Sequence, residues 1–137
     1  MMNDRTYSGM IQMTTFEERY EYLKLAGTVG ADTIGSDRHL NQSFYRSAEW
    51  RRLRNHIIMR DEALDLAHPD RVITGPILVH HITPITPSDI VHASDLLYDP
   101  ENLVCVSRDT HNAIHYGDYS LVKMEYDARS EGDTKLW

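Results

Sequence analysis

One asparagine and four histidines, in a fixed order along the chain, restrict the fold more than any other feature. They are His80, His81, Asn102, His111 and His115. Two short apolar runs, Ile77 to Ile82 and Leu103 to Val106, predict two strands, and the first three of these polar residues lie in or beside them. Ser107 can cap a short helix that holds the last two histidines, and Gly117 can end it. The sequence therefore predicts a strand, a second strand and a helix, with two histidines near the end of the first strand and two in the helix.

The spacing of these histidines suits one divalent metal ion. Positions 111 and 115 lie one helical turn apart, so His111 and His115 can converge on one ion. His80 is the candidate for the third ligand, and three protein ligands leave an open position, which is typical of catalytic sites. Because neighbouring residues of a strand point to opposite sides, we expect His81 to face away from the ion. With an unperturbed pKa of about 6.5, its neutral imidazole can take a proton from water that attacks a phosphodiester.

The whole pattern resembles the HNH endonucleases, a family with a ββα-metal active site that includes colicin nuclease domains and many bacteriophage enzymes. The matching positions are residues 80 to 84, Asn102, His111 and His115, with further similarity to the phage branch in residues 15 to 42, 44 to 51 and 132 to 137. The resemblance implies DNA as the substrate, and an Asn102 that orients His81 or ties the two strands together. It also implies association with the phage terminase or portal proteins that package the genome.

The chain departs from many HNH proteins in its cysteines. Those proteins hold a structural zinc with two Cys-x-x-Cys pairs, whereas Cys105 is the only cysteine here. We therefore expect no structural zinc, and residues 60 to 75 must be held by packing instead. The expected cofactor is one divalent ion: zinc, nickel, manganese, cobalt or magnesium. An all-histidine site favours the borderline ions over magnesium in affinity.

A net charge of −7 argues at first against a nucleic-acid partner, but the distribution of charge matters more than its sum. Between positions 44 and 60 there are five arginines against one glutamate, a local charge of +4. We predict a helix from Ser43 to Met59 in this region, with Ser47 a candidate cap near its start. The residues expected to contact DNA phosphates are Arg46, Arg51, Arg52 and Arg54. The alternative is a solvated charged face.

The chain has the length of one domain, for which we predict an α+β class with a small ββα-metal core. Residues 1–43 would form an N-terminal helix and arm, residues 44–117 the nuclease core, and residues 118–137 a C-terminal strand and extended tail. A capping box predicts a helix from Thr15 to about Leu25, and residues 27 to 42 should form a loop or arm. Residues 119 to 126 are a candidate short strand. With no membrane segment and no signal-peptide pattern, we expect a location in the cytoplasm of a bacterial host cell.

The favoured function is a metal-dependent HNH endonuclease that nicks or cuts DNA, in phage genome packaging with terminase. Two other functions stay open: a non-catalytic, metal-stabilised protein that binds a packaging partner, and a host defence or homing nuclease. Simpler interpretations of single residues also stay open. His111 and His115 can belong to a solvated helix face or, with His80, hold a structural zinc, and Asn102 can be only a turn residue. Trp137 needs a pocket, either in its own core or on a partner.

Overall fold

The computed structural model describes residues 5–25 and 38–122, with side chains from residue 42 onward in the second range. Helices and a sheet both occur in this part of the chain. The helices are α1 (Tyr7–Met10), α2 (Phe16–Leu23), α3 (Arg38–Arg46), α4 (Ala48–Arg60), α5 (Pro87–Val91) and α6 (Arg108–Tyr116). The strands are β1 (Ile77–His81) and β2 (Leu103–Ser107), and short 3-10 turns connect several elements. The chain therefore mixes helix and sheet, in agreement with the predicted α+β class.

The two strands form an antiparallel sheet, which confirms both predicted strands to within one residue at their ends. In the register of this sheet, His80 lies opposite Val104 and His81 lies opposite Leu103. Just beyond the last paired residues, the Ile82 N–H donates to the Asn102 carbonyl at 2.8 Å. The pairing therefore brings Asn102 beside the two histidines, although a long loop separates them in the sequence.

The two faces of the sheet pack against different helices. Val104 and Val106 of β2 belong to one cluster of buried apolar side chains, together with residues of α2 and α6. Leu103 and Cys105 belong to a second cluster, together with residues of α3 and α4 such as Trp50. Because side chains alternate along a strand, successive residues of β1 also face different helices. The sheet thus lies between α6 on one face and α4 on the other.

Side chains at the end of α4 and just after it cover the outer edge of β2. Arg60 Nη2 donates to the Leu103 carbonyl at 2.7 Å, and the Cys105 N–H donates to Asp61 Oδ2 at 2.9 Å. Further along the strand, the Ser107 N–H donates to Asp65 Oδ1 at 3.0 Å. Strand-edge groups left without partners would be costly when buried. These carboxylates and this guanidinium therefore hold the segment that follows α4 against the sheet.

The long helix predicted from Ser43 to Met59 is wrong, because the structure has two helices there. α3 ends at Arg46, and Ser47 has an extended backbone with φ −65° and ψ 150°. Its side chain accepts a hydrogen bond from the Trp50 N–H at 3.1 Å and so caps α4. A capping serine satisfies a backbone donor at the start of a helix but does not continue the preceding one. Ser47 therefore interrupts the predicted long helix, and it is also the predicted cap, here at the start of α4.

Other predicted segments have mixed outcomes. The capping box at Thr15 and Glu18 is confirmed at the start of α2, since each residue donates its N–H to the other's side chain. The predicted loop from 27 to 42 is wrong for residues 38–42, which belong to α3. Residues 119–121 form a 3-10 turn rather than the start of a strand. The rest of that candidate strand, the arm before residue 38 and the tail with Trp137 lie outside the described residues. Among the helices described, none is long and apolar enough to cross a membrane.

Candidate metal centre

The last residues of β1 and the face of α6 bring three histidines together. Ser107 Oγ accepts from the Thr110 N–H at 3.1 Å and begins α6, as the sequence predicts. Gly117 ends the helix with a left-handed backbone, φ 66° and ψ 28°, a conformation that glycine adopts without strain. Between these caps, His111 and His115 lie one turn apart on the face that packs against His80.

The three imidazoles lie close enough together that they could hold a single ion. The ring centre of His80 is 5.2 Å from that of His111 and 5.4 Å from that of His115. One ring nitrogen from each of the three residues lies within 4.8 Å of the other two. The Nε2 atoms of His111 and His115 are 3.1 Å apart. Two nitrogen ligands, each about 2.0–2.1 Å from a tetrahedrally coordinated ion, would lie about 3.3 Å from each other. The distance between the Nε2 atoms of His111 and His115 is close to this value.

The burial of His80 tests whether the site fits a metal. Its side chain is only 3% exposed, and Nε2 is buried without a hydrogen-bond partner among the described residues. Such an atom costs about 1–3 kcal/mol unless something binds it. Burial, followed by the neighbouring histidines, keeps the pKa of His80 well below its ordinary value. Burial also lowers the pKa of His111 to about 4 and lowers that of His115. All three are therefore neutral near pH 7, the form that binds metals, and the donor set fits a divalent ion.

Buried polar groups fix the position of α6. Asp65 Oδ2 accepts from the Ser107 hydroxyl at 2.9 Å and from the Thr110 hydroxyl at 2.7 Å. Burial raises the pKa of Asp65, while these two donors oppose that rise. At the other end of the helix, the Tyr20 hydroxyl donates to the Ala113 carbonyl at 3.2 Å. α6 is therefore anchored at both ends, independently of any ligand.

His81 lies on the opposite face of the sheet, as predicted from the alternation of side chains. Its ring stacks on Trp50, with centres 5.2 Å apart and planes at 21°, and lies 6.0 Å from the ring of Phe44. The residue is 6% exposed. Burial lowers the pKa of His81 to about 4, although the bond to the Leu97 carbonyl acts in the opposite direction. The expectation of an unperturbed pKa was therefore wrong, because sequence gives no measure of how deeply an aromatic cluster encloses the ring.

A backbone carbonyl determines which nitrogen of His81 carries the proton. Nε2 lies 3.2 Å from the carbonyl oxygen of Leu97. A carbonyl can only accept, so this bond requires the proton of the neutral ring to be on Nε2. Nδ1 then keeps its lone pair, and the ring has an acceptor available for a proton.

The side-chain amide of Asn102 makes hydrogen bonds to backbone groups and not to His81. Oδ1 accepts from the Thr83 N–H at 2.7 Å, and Nδ2 donates to the Thr83 carbonyl at 3.2 Å. Nδ2 also donates to the Leu96 carbonyl at 3.2 Å. Leu96 is the residue before Leu97, whose carbonyl contacts Nε2 of His81. Of the two roles implied by the resemblance, these hydrogen bonds correspond to a clamp that joins the segment after β1 to the start of β2.

The predicted DNA-contacting arginines divide into two groups. Arg46, Arg51 and Arg52 are exposed. Arg54 is half-buried, and its Nη2 donates to the Ile77 carbonyl at 2.9 Å, which ties α4 to the start of β1. The exposed part of the predicted phosphate-contacting set therefore consists of three residues on α3 and α4.

Several residues that shape the site were not singled out from the sequence. In the sequence Trp50 is one apolar residue of a predicted helix, and neither Asp65 nor Leu97 has a recognisable signal. The contact of Asp65 with Thr110 joins residues 45 positions apart, and Leu97 acts through its backbone. Only the tertiary packing identifies such contacts.

Comparison of the chain with models of protein families, with curated proteins and with solved structures found no match. The case for a function therefore depends on the residues and geometry of this chain.

Proposed function

We propose that this protein is a metal-dependent endonuclease of the HNH type, which nicks or cuts DNA by hydrolysing phosphodiester bonds. The observation that carries the proposal is the convergence of His80, His111 and His115, with a buried Nε2 on His80 that has no hydrogen-bond partner in the described part of the chain. The order of strand, strand and helix around these residues is also that of the ββα-metal motif. A solvated helix face does not explain why a buried polar atom without a described partner belongs to one of three clustered imidazoles.

In this proposal His80, His111 and His115 hold one divalent ion. An ion held there supplies positive charge that stabilises the phosphoryl and leaving oxygens, and three protein ligands leave a position for an oxygen of water or substrate. Within the described part of the chain, the ligand group contains no carboxylate. Neutral ligands do not cancel the charge of the ion, so the site favours an anionic substrate such as a phosphodiester.

His81 acts as the general base. The Leu97 carbonyl holds the ring with the proton on Nε2, so Nδ1 can take the proton of the attacking water. One phosphorus–oxygen bond forms, the opposite one breaks, and the leaving oxygen takes a proton from solvent. Trp50 restrains the plane of the imidazole. Because His81 is only 6% exposed, the proposal requires the attacking water to reach the ring through this small exposed part, with the phosphate outside at the end of β1.

The exposed arginines Arg46, Arg51 and Arg52 contact the DNA phosphates, with Arg54 contributing where its bond to Ile77 allows. Because the chain has a net charge of −7, DNA is repelled at long range. Unaided affinity should therefore be weak and strongly dependent on salt. A partner that delivers the DNA would remove this difficulty.

The setting that the resemblance suggests is genome packaging with phage terminase and portal proteins, in the cytoplasm of a bacterial host. Deletion of residues 128–137 tests the partner part of this proposal. We expect a folded protein that still nicks DNA but no longer associates with terminase. Unaffected association would contradict a role for the tail.

The second candidate function is a non-catalytic, metal-stabilised protein that binds a packaging partner. The burial of His81 favours it, because a base with a pKa of about 4 is a weak proton acceptor. Nicking of a supercoiled plasmid separates the two candidates. Purified protein is stripped of metal and then assayed with manganese, nickel, cobalt, zinc or magnesium. The nuclease proposal expects open-circular or linear DNA with at least one of these ions and none with chelator. Bound metal without cleavage under any of these ions would support the second candidate.

A further inference from the structure

We propose that the outer edge of β1 binds an extended acidic segment of another protein, which adds to the sheet as an antiparallel strand. A groove between this edge and α4 supplies the positive charge that selects such a segment. The inference goes beyond the proposed nuclease function and depends neither on a bound metal nor on catalysis.

The hydrogen bonds of the sheet show which backbone groups of β1 point away from β2. The Ile82 N–H donates to the Asn102 carbonyl, so the backbone groups of Ile82 point toward the β2 side. Backbone groups alternate in direction along an antiparallel strand. Those of Val79 and Ile77, three and five residues earlier, therefore point to the outer edge of the sheet.

This outer edge is far less covered than that of β2. Between Ile77 and Val79, the bond from Arg54 Nη2 to the Ile77 carbonyl is the only one that reaches the edge from the described part of the chain. The Ile77 N–H and both backbone groups of Val79 have no partner among the described residues, and the two residues are only half-buried. A strand edge with unpaired N–H and C=O groups is a template for a further strand.

A groove of about 400 Å³ lies along this edge, between β1 and α4. Tyr45 and Trp50 line it, with ring centres 5.4 Å apart, and Tyr45 is 37% exposed. The charged side chains of the lining are Arg51 and Arg54, and no carboxylate is among them. The groove therefore combines apolar contact with positive charge beside the open backbone groups.

The charge around the groove selects an acidic segment. Residues 44 to 60 carry a local charge of +4, although the whole chain carries −7. Glu49 is the one carboxylate of α4, and it accepts from the Tyr98 hydroxyl at 3.4 Å instead of lining the groove. Acidic side chains beside β1 would thus meet Arg51 and Arg54 without a competing carboxylate in the lining. Complementary charge of this kind favours the correct partner over others.

Two other occupants fit this edge less well. Pairing of β1 with β1 of a second copy would bring the arginines of both copies together, and like charges oppose association. The phosphates of DNA can accept from the Ile77 and Val79 N–H groups, but the sugar–phosphate backbone has no donor for the Val79 carbonyl. A peptide strand has both a donor and an acceptor at each residue.

The geometry of an added strand makes the proposal specific. In an antiparallel pair, a residue that exchanges both hydrogen bonds with Val79 has its side chain on the same face as the Val79 side chain. That face of β1 packs against α4, since Val79 contacts the apolar cluster that contains Trp50. Acidic residues at alternate positions of the segment would therefore point toward Arg51 and Arg54, and their own amides would pair with β1.

Titration of the isotope-labelled full chain with short synthetic peptides tests this arrangement by NMR. The probe is a peptide, blocked at both ends, in which glutamate alternates with threonine, a residue that favours strands. One control peptide has lysine in place of glutamate. Two others are N-methylated, one on the glutamate amides and one on the threonine amides. The amide signals of Ile77 and Val79 report pairing at the edge.

The protein variants are Arg51→Glu and, as a matched control, Arg108→Glu. Both arginines are exposed, and Arg108 lies in the first turn of α6, outside the groove lining. Each change reverses one charge, but only the first places it in the groove. Far-ultraviolet circular dichroism checks that both variants keep their helices.

We expect the glutamate–threonine peptide to bind and to shift the amide signals of Ile77 and Val79. Lysine for glutamate, or N-methylation of the glutamate amides, should weaken binding by about tenfold or more, because each removes charge complementarity or the strand bonds. N-methylation of the threonine amides, which point away from β1, should leave binding within a few-fold. Arg51→Glu should bind about tenfold more weakly, and Arg108→Glu should bind as the wild type does.

The contrary results are equally definite. No binding of the glutamate–threonine peptide, equal binding of the two N-methylated peptides, or equal binding by Arg51→Glu and Arg108→Glu would overturn the proposal. A single-stranded oligonucleotide that shifts the Ile77 and Val79 signals, where the peptide does not, would assign the groove to nucleic acid. Dimers in sedimentation, with these two amides protected from exchange, would assign the edge to a second copy. All of these measurements use metal-free protein, so their failure leaves the proposed nuclease function untouched.

Discussion

His80 and His81 are adjacent in the sequence, but their rings lie on opposite faces of the sheet. The ring centre of His80 is 5.2 Å from that of His111, and the ring centre of His81 is 5.2 Å from that of Trp50. Each histidine therefore has its own set of neighbours, one on α6 and one on α4. This separation would allow the proposed metal binding and the proposed proton transfer to be altered independently.

Metal should stabilise the fold through α6. This helix has nine residues, a length that is marginal in isolation, and an ion that binds only the folded site raises the free energy of unfolding. At a metal concentration one hundred times Kd, we expect a gain of about 2.7 kcal/mol in the wild type. The gain should vanish in His115→Ala and remain in Asn112→Ala, an exposed position on the same helix. Thermal denaturation with and without metal measures it, and equal shifts in the two variants would contradict the ligand assignment.

Asn102 should contribute strongly to stability even without metal. In Asn102→Ala, the Thr83 N–H and the Thr83 and Leu96 carbonyls lose their hydrogen bonds to Asn102, which is only 4% exposed. Loss of partners for buried polar groups typically costs about 1–3 kcal/mol. Urea denaturation measures the change, with Asn55→Ala, an exposed asparagine of α4, as the control. A destabilisation no greater than that of the control would show that the clamp contributes nothing.

Cys105 should not react in the folded protein. Its side chain is fully buried, and burial together with Asp61 raises the pKa of the thiol to about 12. An unfolded cysteine ionises near pH ~8.5, so at pH 8 the folded protein holds a thiolate fraction that is lower by on the order of a thousandfold. We expect a thiol reagent to label the chain in urea but not in buffer. Fast labelling of the native protein would contradict the placement of β2 in the core.

The sequence predicts the grouping of His80, His111 and His115 because its determinants are local. Ser107 and Gly117 bound α6, the four-residue spacing of His111 and His115 sets a common face, and alternation along β1 separates His80 from His81. Each of these inferences needs only a cap, a helical turn or a strand. None requires knowledge of which distant residues pack together.

The parts that the sequence misses depend on long-range contacts. The low pKa of His81 arises from its enclosure by Trp50 and Phe44. The break between α3 and α4 depends on whether Ser47 caps the second helix or continues the first, and the residue type allows both.

DNA binding should depend on the exposed arginines and on salt. Replacing Arg46, Arg51 and Arg52 together by glutamine removes up to three cations that neutralise phosphates. The slope of log affinity against log salt should then become less steep by about 0.9 for each phosphate that is no longer neutralised. Fluorescence anisotropy with a DNA duplex at several salt concentrations measures this slope, and Arg108→Gln is the control. An unchanged slope in the triple variant would place the DNA on another surface.

The most direct test of the proposed mechanism is the rate of plasmid nicking by His81→Ala, measured at a metal concentration that saturates the wild type. Loss of a general base typically costs about 100- to 10,000-fold, while the metal content should stay at the wild-type level because His81 does not face the ligands. His92→Ala, an exposed histidine elsewhere, should nick as the wild type does. We expect His81→Ala to bind its metal and cut at least about 100-fold more slowly. Wild-type cleavage by this variant, or loss of its metal, would contradict the division of roles between His80 and His81.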